Sequence, residues 1–264
     1  MEQHSPSPLQ NLRIRTVDRP GLVSFGYERV TEEEKARRVL QHFDNIACRY
    51  DIANTLTSFG VHYLWKRDAV RLLGLKKGER VIDVCGGTGD LSVLMERTVG
   101  PDSAVVLSDI NYSMIEQGRY KTAHSSARGK IRYVQCDAEE MAFKSASFDA
   151  AIAGFGIRNL VDMHAGLREI YRLLKPGGRF VCLEFSRPAH AWFRKLYDLY
   201  SFRIMPYISR LVLGSGKPFL HLSESIRVFP GPDEFSRIMA EAGFRDITYR
   251  LLTDGIVAVH KGRK

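Results

Sequence analysis

The fold of this chain is decided by one stretch, Val81-Ile82-Asp83-Val84-Cys85-Gly86-Gly87-Thr88-Gly89-Asp90. An apolar run typical of a buried strand breaks here into a glycine-rich turn, and a second apolar run ends about twenty residues later at Asp109. In α/β proteins this layout holds a nucleoside-bearing cofactor at the carboxyl edge of the sheet. The glycines let the backbone approach the ligand, and the distant carboxylate accepts hydrogen bonds from ribose hydroxyls. The stretch therefore predicts a nucleoside site that includes Gly86, Thr88, Gly89 and Asp109.

The residues of the turn indicate which cofactor binds. A dinucleotide site reads G-x-G-x-x-G, so that a pyrophosphate lies on the amino end of the following helix. Here Gly89 is followed by Asp90 and no third glycine opens the helix, and an acid at that end repels a pyrophosphate. A carrier without phosphate fits, and we predict S-adenosylmethionine, whose amino-acid tail is expected to bond Thr88.

Composition and charge indicate a globular protein, but they do not determine its binding partner. The 264 residues include 44% hydrophobic and 26% charged side chains, which are ordinary values for a soluble globular chain. The net charge of +9 favours anionic lipid or nucleic acid and is equally consistent with simple solubility. The four cysteines lack paired spacing and the eight histidines form no ligand cluster, so we expect a cytoplasmic location and no metal. Without an apolar run of about 18 residues or a secretory signal, any membrane association is expected to be peripheral.

Strand-like and helix-like segments alternate after residue 80. Strand-like runs cover 81–85, 105–108, 131–136, 148–153 and 179–184, and helix-like stretches cover 90–98, 112–123 and 162–174. A last helix over 233–242 precedes short runs at 247–252 and 256–260, which predict an antiparallel pair at the sheet edge. This alternation predicts an α/β fold with a doubly wound, mostly parallel sheet of seven strands.

Three regions outside this alternation define the domain organisation. Residues 1–30 contain prolines and no sustained periodicity, so we expect a mobile N-terminal arm before a single domain over 31–264. Residues 31–79 predict a helical cap, with one helix from Thr31 to about Phe43 and another over Val61–Leu73. Residues 187–232 interrupt the alternation of strand-like and helix-like segments and contain eight aromatic side chains. Such an insertion favours a lid that binds the acceptor, and simple packing on the sheet is the alternative.

Two further strand ends carry side chains suited to the predicted cofactor. Asp137 follows the next strand and is placed to accept from the adenine amine, while Ala138 supplies a backbone donor; a plain turn is the alternative for Asp137. Asp109 itself has a second interpretation as a helix N-cap. After the fourth strand, Gly154 lets the backbone pass close to a ligand, which would place Arg158 and Asn159 beside the reactive methyl group.

Together these segments resemble the ubiquinone/menaquinone biosynthesis C-methyltransferase family, which has the class I methyltransferase fold. The matching pieces are Tyr50-Asp51 with Asn54, His62 with Trp65-Lys66, 83–91, Asp109-Ile110-Asn111, Gly156-Ile157-Arg158-Asn159, Leu183-Glu184-Phe185-Ser186, Tyr197-Asp198 with Tyr200-Ser201-Phe202, and Glu224-Ser225-Ile226-Arg227 with Pro230. They span about residues 43–262. The Arg-Asn, Glu-Phe-Ser and Glu-Ser-Ile-Arg runs are much more specific than a generic cofactor loop.

The resemblance implies methyl transfer from S-adenosylmethionine to a ring carbon of a polyprenylated benzoquinol or naphthoquinol. It places cofactor contacts on Thr88, Asp109, Asp137, Ala138 and Gly154. The ring carbon becomes nucleophilic when a ring hydroxyl loses its proton. We expect Arg158, helped by Asn159 and Tyr50, to stabilise the resulting oxyanion. A water molecule is expected to take the proton, because arginine stays protonated.

The chain departs from the family's usual lettering at several positions. Asp137 is often Asn and Gly154 is often Ser, and either residue can keep a backbone contact. Where the family has an acid followed by Ser-Tyr-x-Tyr-Leu, this chain reads Gly214-Ser215-Gly216-Lys217-Pro218-Phe219-Leu220-His221-Leu222. Met-Asn-Asp after Tyr50-Asp51 has likewise become Ala53-Asn54-Thr55. These changes lie where the acceptor is expected to bind, so they bear on its identity more than on the reaction type.

Two other classes of function stay open at this point. The charge of +9 permits a nucleic-acid methyltransferase. The chain lacks a Pro-Pro-Tyr/Phe motif after the fourth strand and a Pro-Cys nucleophile, so we expect no nucleic-acid partner. The intact cofactor loop disfavours a non-catalytic scaffold of this fold. Among quinols we prefer demethylmenaquinol, with a ubiquinone precursor or a dual role as alternatives; a homodimer and a biosynthetic complex both stay open.

Overall fold

The computed structural model of the protein describes residues 21–100, 103–123 and 127–264. Its strands are β1 Leu22–Phe25, β2 Glu28–Thr31, β3 Val81–Val84, β4 Val105–Asp109, β5 Ile131–Gln135, β6 Phe148–Gly154, β7 Leu174–Phe185, β8 Arg245–Leu252 and β9 Val257–Arg263. Its α-helices are α1 Glu32–Ile46, α2 Tyr50–Thr57, α3 Val61–Leu73, α4 Asp90–Val99, α5 Tyr112–Ala123, α6 Met163–Leu173, α7 Ala191–Leu199, α8 Met205–Leu213, α9 Lys217–Val228 and α10 Pro232–Glu241.

A seven-stranded sheet with the order β5-β4-β3-β6-β7-β9-β8 organises the fold. The central strand β3 pairs in parallel with β4 on one side and with β6 on the other, so that Val81 lies opposite both Val105 and Ala150. β9 runs antiparallel to its neighbours β7 and β8. The predicted doubly wound, mostly parallel sheet is confirmed. Because the chain leaves β3 first towards β4 and later returns to β6, the crevice at the carboxyl end of β3 is the place where such sheets bind ligands.

Buried side chains fill both faces of this sheet. Along β3, Val81 joins the apolar cluster on one face, whereas Ile82 and Val84 join the cluster on the other. This is the alternation expected along a strand. Helices α3 and α4 cover the first face, and α6 and α10 cover the second. Because both faces are covered, the strands can be continuous apolar runs.

The chain before α1 forms a β-hairpin, which corrects part of the sequence analysis. β1 and β2 pair antiparallel with Leu22 opposite Thr31, although the sequence predicts a mobile arm over residues 1–30. Gly26 turns the hairpin with a φ of 60°, and Phe25 stacks on His221 of α9 with ring centroids 3.8 Å apart. Strands of four residues are too short to show a periodicity. The rest of the predicted arm, residues 1–20, lies outside the described residues.

The cap and the insertion are helical. Thr31 caps α1, since its Oγ1 accepts a hydrogen bond from Glu34 N at 3.2 Å, and α1 continues past Phe43 to Ile46. α3 has the predicted bounds. The helix α2 is not predicted from the sequence. The same is true of α7, α8 and α9, which build the insertion together with a π-helical turn over Tyr200–Ile204. α2 packs on α8, so the cap and the insertion meet above the carboxyl edge of the sheet.

We expect Gly156→Ala to destabilise the fold, because a Cβ at this position would lie 2.3 Å from the Cβ of Cys85. That contact joins the turn after β6 to the turn after β3. Urea unfolding should show that the free energy of unfolding is lower than that of the wild type by about 1–3 kcal/mol. Gly231→Ala is the matched control, since nothing lies within 4 Å of its Cβ position and its φ of −65° suits alanine. A Gly156→Ala protein as stable as this control would contradict the close packing of the two turns.

Candidate active site

Asp109 lies at the carboxyl end of β4, directly beside the glycine turn. Its Oδ2 accepts a hydrogen bond from Gly87 N at 2.8 Å, and its Oδ1 accepts one from Asn111 N at 2.8 Å. Burial raises the pKa of this carboxyl despite these two backbone donors. Asn111 rather than Asp109 caps α5, because the Oδ1 of Asn111 accepts from Met114 N at 2.8 Å. The structure thus joins the turn and the carboxylate at one point of the sheet edge.

A small cavity of about 60 Å³ opens beside Asp109. Asp137 and Ala138, which follow β5, line it together with Asp109. Asp137 Oδ1 accepts from Glu139 N at 2.9 Å, so the residue also makes the turn that was its alternative role. The outer wall is apolar and consists of Ala36, Val39 and Leu40 of α1. A carboxylate in an apolar slot suits an adenosyl group, whose ribose donates to the acid while its base packs on the wall.

The other predicted cofactor residues lie around the turn without lining this cavity. A Cβ on Gly86 would lie 2.7 Å from Leu107 Cγ, and one on Gly154 would lie 2.5 Å from Leu91 Cδ1. Gly89 precedes α4 with a φ of 83°, a conformation that glycine adopts without strain. Thr88 is buried and donates from its Oγ1 to Asp51 Oδ1 at 2.7 Å. These three glycines therefore serve the turn and its packing.

Four charged side chains form an ion-pair network in front of the turn. Lys66 Nζ lies 2.6 Å from Asp90 Oδ2. Lys121 contacts Asp90 and lies 2.8 Å from Asp51 Oδ2. Burial alone would raise the pKa of Asp90, but the charges of the two lysines lower it to about 2. Because two lysines offset two carboxylates, Asp90 does not present the isolated negative charge that the sequence suggests, and a zwitterionic amino-acid tail meets both signs of charge here.

A second, larger cavity of about 460 Å³ lies between the cap and the insertion. Its Phe, Tyr and Trp wall residues are Phe43, Tyr50, Phe59, Trp65, Phe155, Phe185, Phe193, Tyr197, Tyr200 and Phe219. Asn159 lines this cavity and also the small cavity beside Asp109. Asn159 therefore contributes to the walls of both cavities, so the two cavities are neighbours in the structure.

Arg158 lies in the wall of the larger cavity and forms a buried ion pair with Glu184. Its Nη1 lies 2.6 Å from Glu184 Oε1, and the two side chains are 8% and 1% exposed. The Nε of Arg158 is buried without a hydrogen-bond partner in the described chain. A buried donor without a partner is costly, so this N–H is suited to an oxygen atom of a ligand. Tyr50 and Asn159 line the same cavity, so the structure brings the three predicted catalytic residues together.

Sequence patterns do not reveal several residues of this site. Glu184 and Asp51 occur in the motifs that carry the resemblance, but only the fold shows their contacts with Arg158 and Thr88. His42 and His221 line the larger cavity, and no spacing or motif marks them as site residues. Their role depends on which helix face meets the cavity, which a single sequence does not show.

Over residues 21–100, 103–123 and 127–264, no group of His, Cys, Asp and Glu side chains is arranged to hold a metal ion. Within the same ranges no helix has both the length and the apolar character to cross a bilayer. The cysteines of these ranges are free thiols.

Comparison with known proteins identifies the family. The model of the ubiE/COQ5 methyltransferase family matches residues 29–264. The chain belongs to this family. The ubiquinone/menaquinone biosynthesis C-methyltransferase UbiE of Pseudoalteromonas translucida is 45% identical over 240 residues, which cover 91% of this chain and 96% of that protein. The protein of the same name from Azotobacter vinelandii is 43% identical, with coverage of 91% and 95%. The predicted resemblance to the ubiE/COQ5 methyltransferases is confirmed.

Solved structures share the ubiE/COQ5 chain's fold at low sequence identity. A SAM-dependent methyltransferase of Thermotoga maritima has a TM-score of 0.58 at 19% identity, covering 85% of this chain and 99% of that one. Phosphoethanolamine N-methyltransferase 2 of Haemonchus contortus, in complex with S-adenosylmethionine, has a TM-score of 0.55 at 17% identity, covering 75% and 52%. The class I methyltransferase fold is confirmed, and S-adenosylmethionine is the cofactor of this ubiE/COQ5 chain. The carboxylate of Asp109 beside an apolar slot fits that cofactor.

Asp83, buried beneath the glycine turn, should make stability depend on pH. Burial raises its pKa to about 7, although Ser92 Oγ donates to its Oδ2 at 2.7 Å. In the unfolded chain this carboxyl ionises near pH ~4. Between about pH 4 and about pH 7 the folded state therefore holds the extra proton, and the wild type loses stability as pH rises.

We expect Asp83→Asn to gain stability relative to the wild type between about pH 5 and about pH 8, because asparagine does not ionise. Urea titrations of both proteins at several pH values measure the difference in the free energy of unfolding. A difference that stays constant across this range would contradict a buried, protonated Asp83.

Proposed function

We propose that this ubiE/COQ5 family member methylates a ring carbon of a polyprenylated quinol in respiratory quinone biosynthesis. The finer proposal is the conversion of demethylmenaquinol to menaquinol, with a ubiquinone-precursor benzoquinol as the alternative acceptor. The observation that carries the proposal is the position of Asn159, which lines both cavities. The aromatic-walled pocket proposed for the ring and the pocket lined by Asp109 share this residue. Relatives named ubiquinone/menaquinone biosynthesis C-methyltransferase support the same chemistry.

The wall of the larger cavity fits a flat apolar ring. Phe155 and Phe185 lie with ring centroids 4.5 Å apart, and Trp65 lies 6.4 Å and 6.3 Å from them. Packing against such side chains orients the plane of a quinol and excludes water. Holding the ring beside the cofactor raises the rate, because alignment replaces a bimolecular encounter. A fused naphthoquinol offers more flat surface to this wall than a methoxylated benzoquinol, which supports demethylmenaquinol.

Arg158 supports the negative charge that develops on the acceptor. S-adenosylmethionine, when bound, supplies an electrophilic methyl group on a sulfonium. The guanidinium stays protonated throughout, so it stabilises a ring oxyanion without taking the proton. Glu184 holds Arg158 in place through its 2.6 Å contact with Nη1 and leaves Nε without a partner in the described chain. Asn159 lines the same cavity and offers a neutral amide donor.

We also propose that the insertion contacts a membrane surface, from which the polyprenyl chain enters. Three residues line the larger cavity and are about half exposed, which marks an apolar mouth: Leu196, Leu199 and Ile204. Trp192, Tyr207 and Leu211 of the same insertion are 69%, 64% and 70% exposed. Its basic residues include Arg194, Lys195, Arg203 and Arg210. Each basic side chain near an anionic lipid surface contributes about 1 kcal/mol.

Incubation with methyl-labelled S-adenosylmethionine and both quinol classes tests the function. We expect label on the ring carbon of demethylmenaquinol, with a higher kcat/KM than for the benzoquinol precursor. Label on the benzoquinol alone would contradict demethylmenaquinol as the acceptor and identify the benzoquinol precursor as the acceptor instead. Label on neither quinol would contradict the function, and label on RNA, included as a control acceptor, would revive the nucleic-acid alternative.

Arg158→Ala should lower turnover by roughly 10²–10³, because a donor to the developing oxyanion is lost. Its affinity for S-adenosylmethionine, measured by isothermal titration, should stay close to that of the wild type. Arg168→Ala is the matched control, since it removes an arginine of α6 whose side chain is 60% exposed. Wild-type turnover by Arg158→Ala would exclude the assigned role.

A further inference from the structure

Methylation of a quinol ring releases one proton, and the residues of the larger cavity restrict what can take it. Arg158 stays protonated and cannot accept it. Among the described residues that line this cavity, none is an aspartate or a glutamate. Lys66 is held in its ion pair with Asp90. The remaining lining side chains with a basic ring nitrogen are His42, His62 and His221.

The three histidines differ in the groups that they contact. His62 Nδ1 is hydrogen-bonded to Ser58 Oγ at 2.7 Å, on the side of the Lys66 ion pair. His221 stacks face to face on Phe25 of the hairpin. His42 lies on α1, the helix that runs across both cavities.

The course of α1 places His42 at the boundary of the two cavities. Val39 of this helix lines the small cavity beside Asp109, and His42 lines the larger one. Residues three positions apart are neighbours on one face of an α-helix. His42 is therefore close to the place where a methyl group passes from the cofactor to the acceptor.

The imidazole of His42 is not committed to another group. Across residues 21–100, 103–123 and 127–264, no hydrogen bond or ion pair to its ring nitrogens is present. Its ring lies edge-on to Phe43 and to His221, with centroids 5.1 Å and 5.5 Å apart.

Burial and the charge of Arg158 lower the pKa of His42 to about 4, so the ring is neutral at neutral pH and has a free acceptor nitrogen. Charged groups on neighbouring elements also lower the pKa of the adjacent histidine, His221. Burial, His42, Arg158, Lys35 and Arg38 lower the pKa of His221 to about 3, so the pair presents two neutral rings. A phenolate formed beside His42 would place a negative charge next to its ring, and this charge would favour the protonated form of the ring.

On the basis of the proposed function, we propose that His42 accepts the hydrogen bond of the acceptor's ring hydroxyl and then takes its proton during methyl transfer. The O–H bond breaks, an N–H bond forms on His42, and the oxygen electrons enter the ring. The ring carbon then bonds the methyl carbon, whose bond to sulfur breaks and leaves its electron pair on sulfur. The same ring carbon loses its hydrogen to water while the ring oxygen regains a proton from His42. One proton is released in total, and His42 is returned to its neutral form.

His42→Gln provides the first test, because glutamine keeps a hydrogen-bond acceptor but cannot take the proton. Turnover should fall by roughly 10²–10⁴. The Kd of a short-chain prenylated naphthoquinol, measured without cofactor by quenching of the combined fluorescence of Trp65 and Trp192, should stay within about threefold of the wild-type value. His164→Gln is the matched control on α6, where the side chain is 45% exposed, and it should equal the wild type in both measurements.

His42→Ala provides the second test, since the space left by the ring can admit free imidazole. Added imidazole should restore turnover to His42→Ala in proportion to its concentration, which a purely structural role of the ring would not produce. If His42→Ala no longer binds S-adenosylmethionine, it has not folded and His42→Gln decides alone. Wild-type turnover by His42→Gln, or a folded His42→Ala that imidazole does not restore, would overturn the assignment. A wild-type enzyme that labels neither quinol would overturn the proposed function instead, so the two failures are distinct.

Discussion

The hydrogen bond from Gly87 N–H to the carboxylate of Asp109 is the interaction on which the site depends. It joins the turn after the central strand β3 to the end of its parallel neighbour β4, so two strand ends are fixed relative to each other by one acid. The same carboxylate also accepts from Asn111 N, which orients it before any ligand arrives. A carboxylate held by two backbone donors needs little rearrangement to accept a further hydrogen bond from a ligand. The position of α4, and with it Asp90, follows from the same turn.

The charged network around the turn explains how the helical cap is attached. Asp51 comes from α2, Lys66 from α3, Asp90 from α4 and Lys121 from α5, so four helices converge on one set of ion pairs. Removing one partner of such a buried set leaves an uncompensated charge, which costs far more than an exposed pair contributes. The cap is therefore fixed to the cofactor turn by electrostatics, while its contacts with the insertion are mainly apolar. Apolar and aromatic side chains make up most of the wall of the larger cavity.

The sheet and the cofactor turn could be predicted from the sequence because the central strands are buried on both faces. Double burial makes β3 and β6 predominantly apolar runs, and Asp109 then stands out at a strand end. The helices α2, α7, α8 and α9 were not predicted, since their apolar side chains face a cavity and the surface as well as the core. The pairing of Arg158 with Glu184 depends on the register of β6 against β7, which places residues distant in sequence side by side. No single-sequence pattern records such a register.

Helix α2 touches both halves of the site. At its first turn Asp51 accepts from Thr88 of the glycine turn, and at its last residue the carbonyl of Thr57 accepts from Tyr200 OH of the insertion at 2.6 Å. Arg49, just before the helix, donates to the carbonyl of Val212 at 2.9 Å. A ligand in one cavity that displaced α2 would therefore also act on the other cavity. Such linkage is reciprocal, so each ligand would alter the affinity for the other by the same factor.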